Sequence, residues 1–93
     1  MKRKPTHPGI ILEEDYIKPL QMNLQELADG LGISRKTLHK IRLGQGRITP
    51  EMALRLSILF HTTPELWLNL QQKYDLWRVW KEHPEISEIK AIA

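Results

Sequence analysis

The chain contains no cysteine, so it can form no disulfide, offer no thiolate to zinc and carry no cysteine nucleophile. Its stability has to come from packing, alone or shared with a second copy, because 93 residues support only one modest core. Long apolar runs are missing too. Near the N-terminus the longest is Ile10 to Leu12, between Gly9 and the acids Glu13, Glu14 and Asp15, far short of a signal peptide or a membrane span. A cytoplasmic protein without membrane association is therefore expected. The histidines, His7, His39, His61 and His83, include no pair four residues apart around a glutamate, as a helical zinc protease needs. There is no glycine-rich phosphate loop, and the adjacent carboxylates Glu13 and Glu14 point in different directions on a helix. The sequence thus predicts no metal, no cofactor and no enzyme activity.

What the sequence does have is segregated charge. The net charge of +3 says little about partners, but Arg35, Lys36, Lys40, Arg42 and Arg47 lie between Gly30 and Pro50 with no acid among them. Glu13, Glu14, Asp15, Glu26 and Asp29 all come earlier. This pattern predicts one electropositive face.

Start and stop signals divide the chain into short helices. Residues 1–6, with Lys2, Arg3 and Lys4, read as a flexible basic arm. Residues 7–81 read as one helical domain and residues 82–93 as a C-terminal tail. Pro8 opens a first helix through Ile10, Ile11, Leu12 and Tyr16 that stops near Lys18, before Pro19. Asn23 and Glu26 have the spacing of a capping box for a second helix, with Leu27, Ala28 and Leu31 inward and Gly32 at the turn. Ser34 caps a third helix with Leu38 and Ile41 inward, ending before Gly44. Thr49-Pro50-Glu51 and Thr63-Pro64-Glu65 open a fourth and a fifth helix, the latter reaching about Lys81. In the tail, Ile86, Ile89 and Ile92 fit either a short helix or an extended arm.

Two short helices joined by a glycine-containing turn, with a basic outer face on the second, match the plan of a helix-turn-helix over residues 23–43. Arg35, Lys36, Thr37 and Lys40 fall on the exposed part of the third helix, the part that reaches base edges. Arg35 leads, because its planar fork can donate to guanine N7 and O6 together. Lys36, Thr37 and Lys40 suit bases or phosphates equally. Asn23 and Gln25 at the start of the second helix, and Arg42, Gln45, Gly46 and Arg47 after the third, are candidate phosphate contacts. In the fifth helix Trp67, Leu70, Tyr74 and Trp77 make one stripe at helical spacing, while Leu66, Leu76 and Trp80 lie partly off it; this excess of large apolar groups makes Trp67, Leu76, Trp77 and Trp80 candidates for a dimer or partner interface. A protein-binding adaptor whose basic residues are ordinary surface has the same core and remains an alternative.

The segment Asn23-Leu24-Gln25-Glu26-Leu27-Ala28, through Gly32-Ile33-Ser34-Arg35 to Gly44, resembles the phage-repressor (XRE) type of helix-turn-helix. With His7-Pro8-Gly9, Ile11-Leu12-Glu13-Glu14, the run Ile48 to Leu56, Trp67-Leu68-Asn69-Leu70-Gln71 and Tyr74-Asp75-Leu76, the chain resembles the HigA antitoxins, also called VapI-like, from His7 to Trp77. The resemblance implies an all-α, five-helix phage-repressor-like domain and a homodimer on a palindromic double-stranded DNA operator. It also implies repression of its own operon and a HigB-like toxin partner, a RelE-related nuclease of messenger RNA. It places Arg35, Lys36 and Lys40 at base-contacting positions, while Leu24 stands where relatives often carry glutamine. A solitary regulator of the same family is the other reading it allows.

Overall fold

The computed structural model describes residues 3–92; Met1, Lys2 and Ala93, and with them the ends of the expected arm and tail, lie outside the described residues. These residues form helices and no strand. Helix α1 (Pro8–Ile11) is opened by His7, whose Nδ1 accepts from the Gly9 N–H at 2.9 Å. The chain pattern predicts an ordinary α-helix on to Lys18, but Leu12–Ile17 winds as a wider π-helix, closed by the Lys18 N–H on the Glu13 carbonyl at 3.0 Å. Its five-residue repeat brings Leu12 and Ile17 to the same buried side.

Helices α2 (Leu24–Leu31), α3 (Arg35–Arg42), α4 (Pro50–Phe60) and α5 (Pro64–Glu82) follow, then a 3-10 turn (Pro84–Glu88). Side-chain oxygens of Asn23, Ser34, Thr49 and Thr63 cap α2 to α5, each satisfying one of the free N–H groups of a first turn. Of the reciprocal box expected at Asn23 only the Asn23 half forms among the described residues, with Glu26 N–H donating to Oδ1 at 3.0 Å. Gly32 ends α2 at φ 71°, a left-handed backbone that a side chain would disfavour.

Leu27, Ala28 and Leu31 of α2, Leu38 and Ile41 of α3, and Met52, Ala53 and Leu56 of α4 close on one core with Leu12, Ile17, Ile48 and Trp67. Each large apolar side chain so buried contributes about 1.5–3 kcal/mol. Trp67 corrects the expectation that placed it at an interface: it is 0% exposed and its indole N–H donates to Thr62 Oγ1 at 2.8 Å. It stacks at a tilt on Tyr16 and Phe60, because the first turn of α5 lies over α4 and the π-helix.

The far end of α5 leaves this core, which makes the molecule 51 Å long and 22 Å wide. There Leu76, Val79 and Trp80 are 48%, 42% and 41% exposed, and Ile89 beyond them is 76% exposed. The described part of the arm runs along the same helix, with Lys4 and Lys81 both over the Trp77 ring, 5.5 and 5.1 Å from its centroid. No helix among the described residues is long and apolar enough to cross a membrane.

Candidate nucleic-acid interface

The turn between α2 and α3 is held from outside the motif. Arg55 of α4 donates through Nη1 to the Leu31 carbonyl at 2.8 Å and through Nη2 to Glu51 at 2.8 Å, so a guanidinium satisfies a C-terminal carbonyl of α2. Glu13 holds α3 from outside the motif in a different way, by binding a side chain of its last turn. Its two carboxylate oxygens accept from Arg42 Nε and Nη2, each at 2.8 Å, in a pair largely withdrawn from water. The Arg42 fork holds the Glu13 carboxyl below its usual range. At the crossing of α1 and α3, Gly9 lies directly against the Ile41 carbonyl, where a Cβ has no room.

On this frame α3 turns Arg35, Lys36, Thr37 and Lys40 outward; all four are exposed. Neither Lys36 nor Lys40 has an acidic partner among the described residues. Thr37 is fixed by Ser34, whose Oγ accepts the Thr37 N–H and donates to the Thr37 hydroxyl, both at 3.0 Å, leaving the threonine O–H free to donate. Arg35 Nη1 reaches Gln25 Oε1 at 3.5 Å, and Gln25 Nε2 donates to Asp29 at 3.0 Å. Between Leu24 and α3 runs a shallow groove of about 270 Å³ walled by Arg35, Lys36, His39 and Arg42. The first amides of α2 open beside it, an arrangement suited to a phosphodiester.

Several expected phosphate contacts are placed differently. One N–H of the Gln25 carboxamide is engaged by Asp29, and its oxygen faces Arg35. Arg42 is drawn inward by Glu13 through two of its three nitrogens, which makes it a tie between the π-helix and α3. The Gln45 and Gly46 N–H groups both turn back onto the Lys40 carbonyl, at 2.9 and 3.1 Å. These two amides complete the end of α3, and only the Gln45 side chain stays exposed. Asn23 uses its oxygen as the cap and keeps its amide nitrogen exposed. Arg47 is exposed but paired with Asp75 of α5.

His7, Glu13, Arg55, Gln71 and Asp75, which hold the interface in place, escape sequence reasoning. Their partners lie 23 to 29 residues away for all but His7, and no local spacing signals such pairs. Two pairs, Glu51–Arg55 and Gln71–Asp75, each four apart, have a helical spacing that could have drawn attention to Arg55, Gln71 and Asp75. His39 could have been found as a fourth basic group on the outer face of α3, beside Arg35, Lys36 and Lys40.

Residues 14–67 match the family model HTH_3, helix-turn-helix. The chain belongs to this family. An HTH-type transcriptional regulator of Haemophilus influenzae is 48% identical over 77 residues, 83% of this chain and 72% of that protein. Among solved structures, the antitoxin GraA in complex with its operator has a TM-score of 0.88 at 38% identity, covering 98% of this chain and 94% of that one. The Pseudomonas aeruginosa antitoxin HigA with the higBA promoter also has a TM-score of 0.88, at 31% identity, with 96% and 99% covered. The helix-turn-helix of this family thus occupies the core of the chain, and the likeness to the antitoxins extends over α5 and most of the tail.

Proposed function

We propose that this member of the helix-turn-helix family is a DNA-binding antitoxin that binds a palindromic operator as a homodimer, represses its own operon and neutralises a HigB-like, RelE-related toxin. The observation that carries the reading is the outer face of α3, exposed and free of acids, on a chain that matches operator-bound antitoxins over nearly its whole length. Operator binding places its work in the cytoplasm.

In this mechanism α3 lies in the major groove. Arg35, steadied by Gln25, reads a guanine edge, and Lys36, Thr37 and Lys40 contact flanking bases or phosphates. Asn23 with the first amides of α2, the Gln45 side chain and Arg47 fix the register on the backbone. The exposed end of α5, with Leu76, Trp77 and Trp80, joins two copies so that their α3 helices meet successive major grooves about 34 Å apart.

The test is a gel shift with the DNA upstream of the chain's own gene, at physiological salt and with random competitor. A specific shift is expected, and Arg35→Ala should lose about 1–3 kcal/mol on that site and little on random duplex. Equal binding of both duplexes by the wild type would leave the protein-binding adaptor as the better description. The toxin half of the reading requires that the product of an adjacent reading frame co-purify with the chain; a gene with no such neighbour indicates a solitary regulator.

A further inference from the structure

The loop that leaves α3 is fastened to α5 at consecutive points. Gln71, 3% exposed, accepts the Ile48 N–H on Oε1 at 2.8 Å and donates through Nε2 to Asp75 Oδ1 at 3.0 Å. The other Asp75 oxygen accepts from Arg47 Nη1. Both carboxylate oxygens are therefore engaged, one by a buried amide and one by a largely exposed guanidinium: the side chains are 23% exposed for Asp75 and 59% for Arg47. The asymmetry matters. Asp75 cannot follow Arg47, because Gln71 anchors it, whereas Arg47 is tethered through a single nitrogen and keeps the rest of its fork turned to solvent.

From this geometry we infer that Asp75 is a positioning residue for DNA binding, which aims Arg47 at the sugar-phosphate backbone beside the recognition helix. The inference rests on the proposed DNA-binding function. A free arginine side chain loses conformational entropy when it settles on a phosphate, and one held in place by a fixed carboxylate has already lost part of it. The carboxylate lowers the cation's attraction for phosphate at long range, but Coulomb attraction between exposed charges is weak in water and screened by salt, so pre-ordering outweighs it.

The experiment is a set of binding titrations by fluorescence anisotropy, on the upstream duplex and on a scrambled duplex, across a range of salt concentrations. Asp75→Asn keeps an acceptor for Gln71 and removes the charge that holds Arg47. It should weaken binding to the upstream duplex about 3- to 10-fold and flatten the plot of log affinity against log salt by about 0.9 for each clamp lost. Arg47→Ala should do the same, and the double variant should be no worse than either single one. Asp75→Glu, which retains the charge, should recover most of the slope. A loss from Asp75→Asn that is equally large in the Arg47→Ala background would show that Asp75 acts only through the fold, and the inference would fail. Tighter binding and a steeper slope would mean that Asp75 withholds Arg47, and would overturn it too. Independently of any variant, nitrogen-15 spectra of the wild type should show hindered rotation of the Arg47 guanidinium; a freely averaging signal contradicts the tether. Wild-type protein that fails to prefer the upstream duplex refutes the DNA-binding function itself, a result distinct from all of these.

Discussion

Replacing Gly9 with alanine puts a methyl group where α1 crosses α3. A Cβ at Gly9 falls far inside contact distance of the Ile41 carbonyl oxygen and lies 2.7 Å from the carbonyl carbon and 3.1 Å from the His7 ring nitrogen. The first two obstacles are backbone, so no change of rotamer relieves them. To reach the 3.0 Å below which real Cβ contacts essentially never occur, α1 has to part from α3 by more than an ångström. Overpacking of a well-filled site costs about 1–3 kcal/mol, and the rigid neighbour puts this case at the upper end. Disturbing the His7 cap adds about 1 kcal/mol, for a total of roughly 3–4 kcal/mol. At about 4–8 °C per kcal/mol for a domain of this size, the melting temperature should fall by roughly 12–30 °C. Circular dichroism melts measure this directly. Gly30→Ala is the control in the opposite direction: its Cβ would meet only a Leu59 methyl at 3.5 Å, and alanine within a helix gains about 0.5–1 kcal/mol over glycine. Should Gly9→Ala melt within about 3 °C of wild type, the close crossing that fixes α3 on α1 would not exist.

His7 predicts a pH dependence. Burial lowers its pKa from the ordinary 6.5, against a hydrogen bond to the Gly46 backbone that raises it. The unfolded chain therefore binds the proton more readily than the folded one. The contribution of His7 to stability is complete above pH 6.5, falls as the pH drops from there toward the folded pKa, and levels off below it; melts of His7→Asn, which can still cap, should lack this component. Glu13→Gln leaves Arg42 half-buried without its counter-charge and should cost roughly 1–3 kcal/mol in chemical denaturation, with no effect expected if the pair is merely a surface contact. Leu76→Asp combined with Trp80→Asp should halve the solution mass by light scattering while leaving the melting of the separate domain largely unchanged, because both side chains stand outside the core. A mass unchanged at micromolar concentration would remove α5 from the proposed dimer contact.

Reading the helices from sequence works where the signals are local. The caps at Asn23, Ser34, Thr49 and Thr63 and the apolar spacing of α2 to α4 lie within a few residues of the backbone they govern, and the same periodicity turns Arg35, Lys36, Thr37 and Lys40 outward. It fails where two helices must be known together. Trp67 and Trp80 have the same side chain on the same helix, and only the position of α4 and the π-helix over the first turn of α5 buries one and leaves the other exposed. Arg42 and Arg47 both read as clamp residues, yet one faces Glu13 and the other Asp75, partners 29 and 28 residues away.

By itself, then, the sequence determined that five helices form, where each begins, and that the second of a helix-turn-helix pair carries cations with no acid among them. These depend on hydrogen bonds and spacing within a turn or two, which the order of residues sets directly. The tertiary structure alone decided which of those cations remain free to meet DNA, why position 9 must be glycine, and that the first helix widens into a π-turn. Each of these depends on what a distant segment brings within a few ångströms, and such distances are settled by the packing of the whole core.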